Sequence, residues 1–148
     1  MPADELVLET TRAFPVPRAR LYEFFADATL LAKWWGPRGF TIPSITFAPR
    51  VGASYRIKMQ PPQDDLFELT GTFRMVKAPS RLAISFEWVP ADPDDQETLA
   101  ELRFEVIDDS TEVRLRQGPF KTEARRALHQ DGWTESLDRL AELIAEER

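Results

Sequence analysis

A chain of 148 residues, 43% of them hydrophobic, has the size of one domain and enough apolar side chains for one buried core. Its 25 acidic and 19 basic residues are interspersed and leave a net charge of −6, which excludes the concentrated basic face that nucleic-acid binding needs. Cysteine is absent, so disulfides and thiolate chemistry are excluded, and no run approaches the roughly 18 apolar residues of a membrane span.

In chain order, the N-terminal MPADELVLETT is polar and acidic and lacks the plan of a secretory signal, so a soluble, cytoplasmic protein is expected. ELVLETTRAF alternates and predicts a first strand. In FPVPRARLYEFFAD, Pro17 suits the opening of a helix whose apolar stripe is Leu21, Phe24 and Phe25. Asp27 is the expected N-cap of a second short helix carrying Trp34 and Trp35. Adjacent helical residues point about 100° apart, so one stripe cannot bury both rings. The second ring must meet a strand, a partner or a ligand.

From residue 44 the period becomes two. Tyr55, Ile57 and Met59, then Phe67, Leu69, Gly71, Phe73 and Met75, then Leu82, Ile84, Phe86 and Trp88 share one parity with Ala100, Leu102, Phe104 and Val106, and with Val113 and Leu115. Arg56, Lys58, Arg74, Glu101, Arg103, Glu105, Arg114 and Arg116 take the other parity, as expected of a solvated face. Short turn-rich connections between these segments predict an antiparallel meander. The acid pairs Asp64-Asp65, Asp94-Asp95 and Asp108-Asp109 fall in those connections and read as solvated turns. The loop VPADPDDQE, residues 89 to 97, reads as a mobile flap or rim beside a cavity entrance.

The last segment, from Thr122 as N-cap, returns to helical period with Trp133, Leu137, Leu140, Ala141 and Ile144 on one stripe. Six or seven strands make a sheet about 30 Å across, whereas one helix is only about 10–12 Å wide. A flat sheet would leave apolar area in water at roughly 25 cal/mol per Å², so the sheet must curl around the long helix. Such curling leaves a space between them.

Four stretches carry a family resemblance: AFPVPRARLYEFFADATLLAKWWGPRGFTIP, PRVGASYRIKM, LTGTFRMVKAPSRLAISFEW and HQDGWTESLDRLAELIAE. In order and spacing they resemble the Hsp90-ATPase-activator-homologue (AHSA1-like) family of the START-like, or SRPBCC and Bet v 1-like, superfamily. The resemblance spans nearly the whole chain, residues 1–148 as a single START-like domain. It implies an α+β helix-grip fold, β-α-α-β-β-β-β-β-β-α, with the C-terminal helix across a curved antiparallel sheet over a cavity. Members of this superfamily include lipid carriers, hormone receptors, aromatase/cyclases and co-chaperones. The eukaryotic co-chaperones carry an extra N-terminal Hsp90-binding domain; here the first strand begins near residue 5, so the co-chaperone role is not carried over.

The catalytic inventory is thin. One histidine and no cysteine argue against zinc sites and thiol nucleophiles; no G-x-S-x-G elbow or Gly-rich phosphate loop occurs. No metal, cofactor or catalytic residue is implied, and whether the chain is an enzyme stays open, with the balance against it. The first reading is binding of a small hydrophobic molecule, aromatic or lipid-like, in the cavity. The expected wall is Trp34, Trp35, Phe40, Tyr55, Phe73, Phe86, Trp88, Phe104, Trp133 and Leu137, with His129 as the main polar contact. His129 has two other readings: a core-edge residue bonded to a backbone carbonyl, or a proton shuttle. Gly132 either packs the helix on a strand or leaves room for a ligand. The alternatives are an aromatase/cyclase-type enzyme in the same cavity, with His129 moving protons, and a protein-interaction module anchored by Trp34 or Trp35. A homodimer is left open.

Overall fold

The computed structural model describes residues 6–147. Glu5, with which the expected first strand begins, and Arg148 lie outside the described residues. The elements run β1 (Leu6–Phe14), α1 (Arg18–Ala26), α2 (Ala28–Leu31), β2 (Thr41–Thr46), β3 (Ser54–Gln60), β4 (Phe67–Lys77), β5 (Arg81–Val89), β6 (Thr98–Ile107), β7 (Ser110–Phe120) and α3 (Glu123–Glu146). All seven strands form one antiparallel sheet in the order β1-β7-β6-β5-β4-β3-β2. β2 to β7 are a meander, as their short connections require. β1 and β2 are opposite edges, so the two short helices carry the chain from one edge to the other.

The caps follow the side chains. The Asp27 carboxylate accepts the Leu30 N–H at 3.0 Å, and the Thr122 hydroxyl accepts the Arg125 N–H at 3.1 Å. α1 begins one residue after Pro17, which stands at its cap in extended conformation. α3 has 24 residues, about 36 Å at 1.5 Å per residue, and buries Trp133, Leu137, Leu140 and Ile144 against the sheet. Leu8, Ile57, Leu69, Ile84, Leu102, Val113 and Leu115 are buried on the strands.

Three expectations are corrected. α2 is only four residues long, so Trp34 and Trp35 stand in the turn beyond it. Val106 shares the inward parity yet is 59% exposed, because it lies at the tip of the β6–β7 hairpin. Ser85 has the outward parity yet is buried: its hydroxyl accepts the Thr72 N–H at 2.8 Å on the neighbouring strand.

Two buried devices hold the sheet in shape. Gly71 lies opposite Tyr55, and a Cβ there would stand 1.9 Å from the Ser85 carbonyl oxygen. The absent side chain lets the Tyr55 hydroxyl reach across and donate to that same oxygen at 2.5 Å. Burial, with a smaller effect from Glu87, pushes the Tyr55 phenol well above its ordinary pKa, so it remains a donor. Gln117 continues the inward parity of Val113 and Leu115 as a fully buried amide. It donates to Thr98 Oγ1 at 2.9 Å and accepts the Trp133 indole N–H at 2.7 Å, fixing α3 to β6 and β7.

Candidate functional site

Between α3 and one end of the sheet lies a cavity of about 420 Å³. Strand pairing explains its place. Met59 pairs with Phe67, and Leu69 with Trp88, so the last residues of β3, the first of β4 and the last of β5 share one end. Met59, Phe67, Phe86 and Trp88 wall the cavity there, Trp35 and Phe40 come from the segment after α2, and Gly132 and Trp133 come from α3.

Six aromatic rings run around it in sequence: Phe40 to Phe67 at 6.1 Å, Phe67 to Trp88 at 5.5 Å, Trp88 to Phe86 at 6.2 Å, Phe86 to Trp35 at 6.1 Å and Trp35 to Trp133 at 5.3 Å between centroids. Most meet edge to face, the arrangement their quadrupoles favour. Gly132 presents open space: a Cβ there would meet nothing within 4 Å. Of its two readings, room beside the cavity is the one the geometry matches.

The tryptophan pair divides between two regions. Trp34 is fully buried under α1, its indole N–H donating to the Phe24 carbonyl at 3.1 Å and its ring 4.8 Å from Phe25. Trp35 turns the other way, onto the cavity. The bend between them is held by α3. The Arg139 guanidinium donates to the carbonyls of Trp35, Gly36 and Pro37 at 2.9–3.2 Å and of Lys33 at 3.3 Å. Ser136 Oγ accepts the Gly36 N–H, Glu135 accepts the Arg38 N–H, and Arg38 pairs with Glu142. Gly36, at φ +95°, supplies a left-handed conformation that side-chain-bearing residues rarely adopt. Sequence reading named none of these partners, since each joins residues about a hundred positions apart.

His129 has both ring nitrogens engaged. An indole N–H can only donate, so the Trp88 bond at 3.0 Å makes Nε2 the acceptor. Nδ1 therefore carries the proton, which it donates to the Arg125 carbonyl at 2.9 Å. Burial is the main cause of a lowered pKa; the Arg125 charge adds to it, while the backbone bond and Asp95 oppose it. The imidazole is thus a neutral bracket for Trp88. It is bonded to a backbone carbonyl and also lines the cavity.

Charge is confined to the cavity's end at the start of α3. Arg125 pairs there with Asp92 and, at 3.2 Å, with Asp95. The Asp95 side chain is only 8% exposed, so it is not the solvated turn residue expected from the acid pair. Lys121 donates to the Pro93 carbonyl and Gln96 to that of Pro119, so the 89–97 segment is tied to the end of β7 as well as to α3. Pro90, Asp92 and Asp95 of this segment stand on the cavity.

Of the eleven residues expected around the cavity, Trp35, Phe40, Phe86, Trp88, His129 and Trp133 line it. Trp34, Tyr55, Phe73, Phe104 and Leu137 do not. Tyr55, Phe73 and Phe47 pack together at 4.9–5.7 Å, and Phe104 packs with Tyr22 and Phe25 at 5.2–5.3 Å. Leu137 is buried on the sheet-facing stripe of α3. Parity tells which face of the sheet a residue takes but not which end, and Tyr55, Phe73 and Phe104 sit at the packed end. Met59, Phe67, Ser136 and Arg125 line the cavity without having been expected, and Asp92 and Asp95 line it from the segment expected at its rim. Met59 and Phe67 had the right parity and the right strand ends, a usable signal. Among the described residues no group of three His, Asp or Glu side chains is placed to hold a metal ion, and no helix is long and apolar enough to cross a membrane.

A curved seven-stranded antiparallel sheet, a long C-terminal helix against it and a cavity between them define a START-like protein. The chain belongs to the family described as "Activator of Hsp90 ATPase homolog 1-like protein", whose sequence model matches residues 15–145. Among solved structures, it is similar to the AHSA1 protein of Silicibacter pomeroyi, at 25% identity and a TM-score of 0.85, over 96% of this chain and 99% of that one. A Chromobacterium violaceum protein, 20% identical, gives 0.85 over 97% and 98%, and a Rhodobacter sphaeroides protein, 23% identical, gives 0.82 over 97% and 95%. No curated protein matches the chain significantly.

Proposed function

We propose that this protein binds a small hydrophobic molecule, with an aromatic or similarly flat body, in the cavity between α3 and the sheet. The observation that carries the reading is the chain of six aromatic rings lining about 420 Å³, a volume within the usual 300–1,000 Å³ of small-molecule sites. The engagement of both His129 nitrogens weighs against a proton shuttle and for a binding wall. Burial of Trp34 and Trp35, at 0% and 6% exposure, weighs against either as a protein-docking anchor. Residues Trp35, Phe40, Phe86, Trp88, His129 and Trp133 are the proposed contacts.

Titration with Nile red, a neutral environment-sensitive dye, tests this. Saturable one-to-one binding with quenching of tryptophan emission is expected, and Phe86→Ala together with Trp133→Phe should weaken it. Native mass spectrometry of protein purified without added ligand should find a co-purified apolar species. Absence of dye binding to folded protein would overturn the reading.

A further inference from the structure

The chain has four tryptophans, and three of their indole N–H groups have partners: Trp34 on Phe24, Trp88 on His129 and Trp133 on Gln117. Trp35 Nε1 has none among the described residues, although Trp35 is only 6% exposed. Among those residues, Tyr22 Oη is the single sealed side-chain polar atom without a partner. Trp35 Nε1 is therefore not sealed, and Trp35 lines the cavity.

The neighbouring polar group has the same character. Ser136, 5% exposed and also on the cavity, uses an oxygen lone pair to accept the Gly36 N–H at 3.1 Å. Its own O–H has no acceptor among the described residues. Gly36 follows Trp35 directly, so the two free donors belong to residues at the same end of the cavity. No charge joins them: the Arg139 guanidinium beyond is occupied by the carbonyls of residues 33 and 35–37 and does not line the cavity. The charged trio Arg125, Asp92 and Asp95 belongs to the other end. Arg125 and Ser136 are eleven residues apart on α3, about 16 Å along its axis.

Buried donors left unpaired are costly, so an occupant that satisfies them gains over one that does not. A carboxylate at this end would be desolvated without a countercharge. A hydrocarbon would leave both donors dry. We infer, on the reading that the cavity binds a ligand, that the occupant is a neutral, flat apolar molecule bearing a carbonyl oxygen that accepts from Trp35 Nε1–H and the Ser136 hydroxyl. The aromatic wall sets its shape, and the donor pair sets its orientation.

Three probes of one tricyclic skeleton test this by Nile red displacement: 9-fluorenone, fluorene, in which a methylene replaces the carbonyl, and fluorene-9-carboxylate. One satisfied hydrogen bond is worth about 2–10-fold in affinity. Fluorenone should bind roughly tenfold or more tightly than fluorene, and the carboxylate most weakly. Trp35→Phe and Ser136→Ala should each weaken fluorenone by about 2–10-fold more than they weaken fluorene. The carbonyl stretch of bound fluorenone should lie at lower frequency in the wild type than in the double variant. Should the Ser136→Ala chain fail to fold, Trp35→Phe alone decides, because it keeps an aromatic ring, removes the donor, and is read as the fluorenone-to-fluorene ratio. Equal affinity for fluorene and fluorenone, or equal weakening of both by the substitutions, overturns the inference while leaving cavity binding intact. Failure of Nile red and all three probes to bind overturns both.

Discussion

Trp34 and Trp35 are neighbours in sequence and belong to opposite ends of the same molecule. The Trp34 end is filled: Phe25, Tyr22 and Phe104 stack edge to face beneath α1, and Trp34, Phe24 and Phe104 are at most 1% exposed. The Trp35 end uses six rings to line a space. The difference does not lie in hydrophobicity. At the filled end α1 comes down onto the sheet, whereas the open end is covered by α3 and the segment after α2, and α3 carries Gly132 where a larger side chain would reach inward. Aromatic content makes a core or a site depending on what lies across from it.

Truncation should separate the two ends most strongly. Trp34→Ala is expected to destabilise the fold by about 3–5 kcal/mol in urea denaturation, the usual cost of deleting a fully buried large side chain. Trp35→Ala should cost clearly less, because one side of its ring already faces open space, and should instead weaken Nile red. Equal losses for the two would mean that the cavity end is as tightly packed as the other.

The divide between the ends depends on the Arg139 clamp. Arg139→Met keeps the aliphatic stem and frees four carbonyls, for an expected loss of about 1–3 kcal/mol, together with weaker dye binding as Trp35 loses its orientation. A stability loss without any change in binding would show that the clamp supports only the Trp34 side.

Gly132 sharpens the comparison in the opposite direction. Gly132→Ala should stabilise the protein by up to about 1 kcal/mol, from helix propensity alone, because nothing lies within 4 Å of the new Cβ. Gly132→Phe should fold and yet exclude Nile red. Thermal melts and dye titration of the same two variants check both outcomes. A comparable small-to-large change at Gly71, where a Cβ would strike the Ser85 carbonyl, should prevent folding.

The smallest expected effect is a pH dependence. The folded state holds His129 neutral, with its pKa below the ordinary value of about 6.5. The unfolded chain therefore takes up a proton first as pH falls through that value. The stability contributed by the neutral bracket is complete above about pH 6.5 and is lost progressively below it, toward the lower folded pKa. His129→Gln removes the titration and keeps an oxygen able to accept the Trp88 N–H. The difference in stability between wild type and variant should shrink on going from pH 7.5 to 5.5. A constant difference would place His129 in contact with compensating charge.

Much of this protein was legible in its sequence, because the signals were local. Period two gave the faces of the strands, Asp27 and Thr122 gave their helix starts, and the Trp133–Ile144 stripe gave the buried side of α3. Even the need to curl followed from the widths of a sheet and a helix. What local pattern does not encode is position along a face. Tyr55 and Met59 have the same parity on the same strand, and only the pairing of β3 with β4 and of β4 with β5 puts Met59 beside the cavity and Tyr55 in the filled end. The polar framework was hidden for the same reason. Gln117 looks like one more alternating residue until Trp133 and Thr98 meet it, and Arg139 looks like a solvated helix charge until the turn at residues 33–37 folds back on it. Sequence alone determined which residues leave water. The tertiary structure decided where they close up and where they leave a space, because that depends on which elements face each other across the sheet.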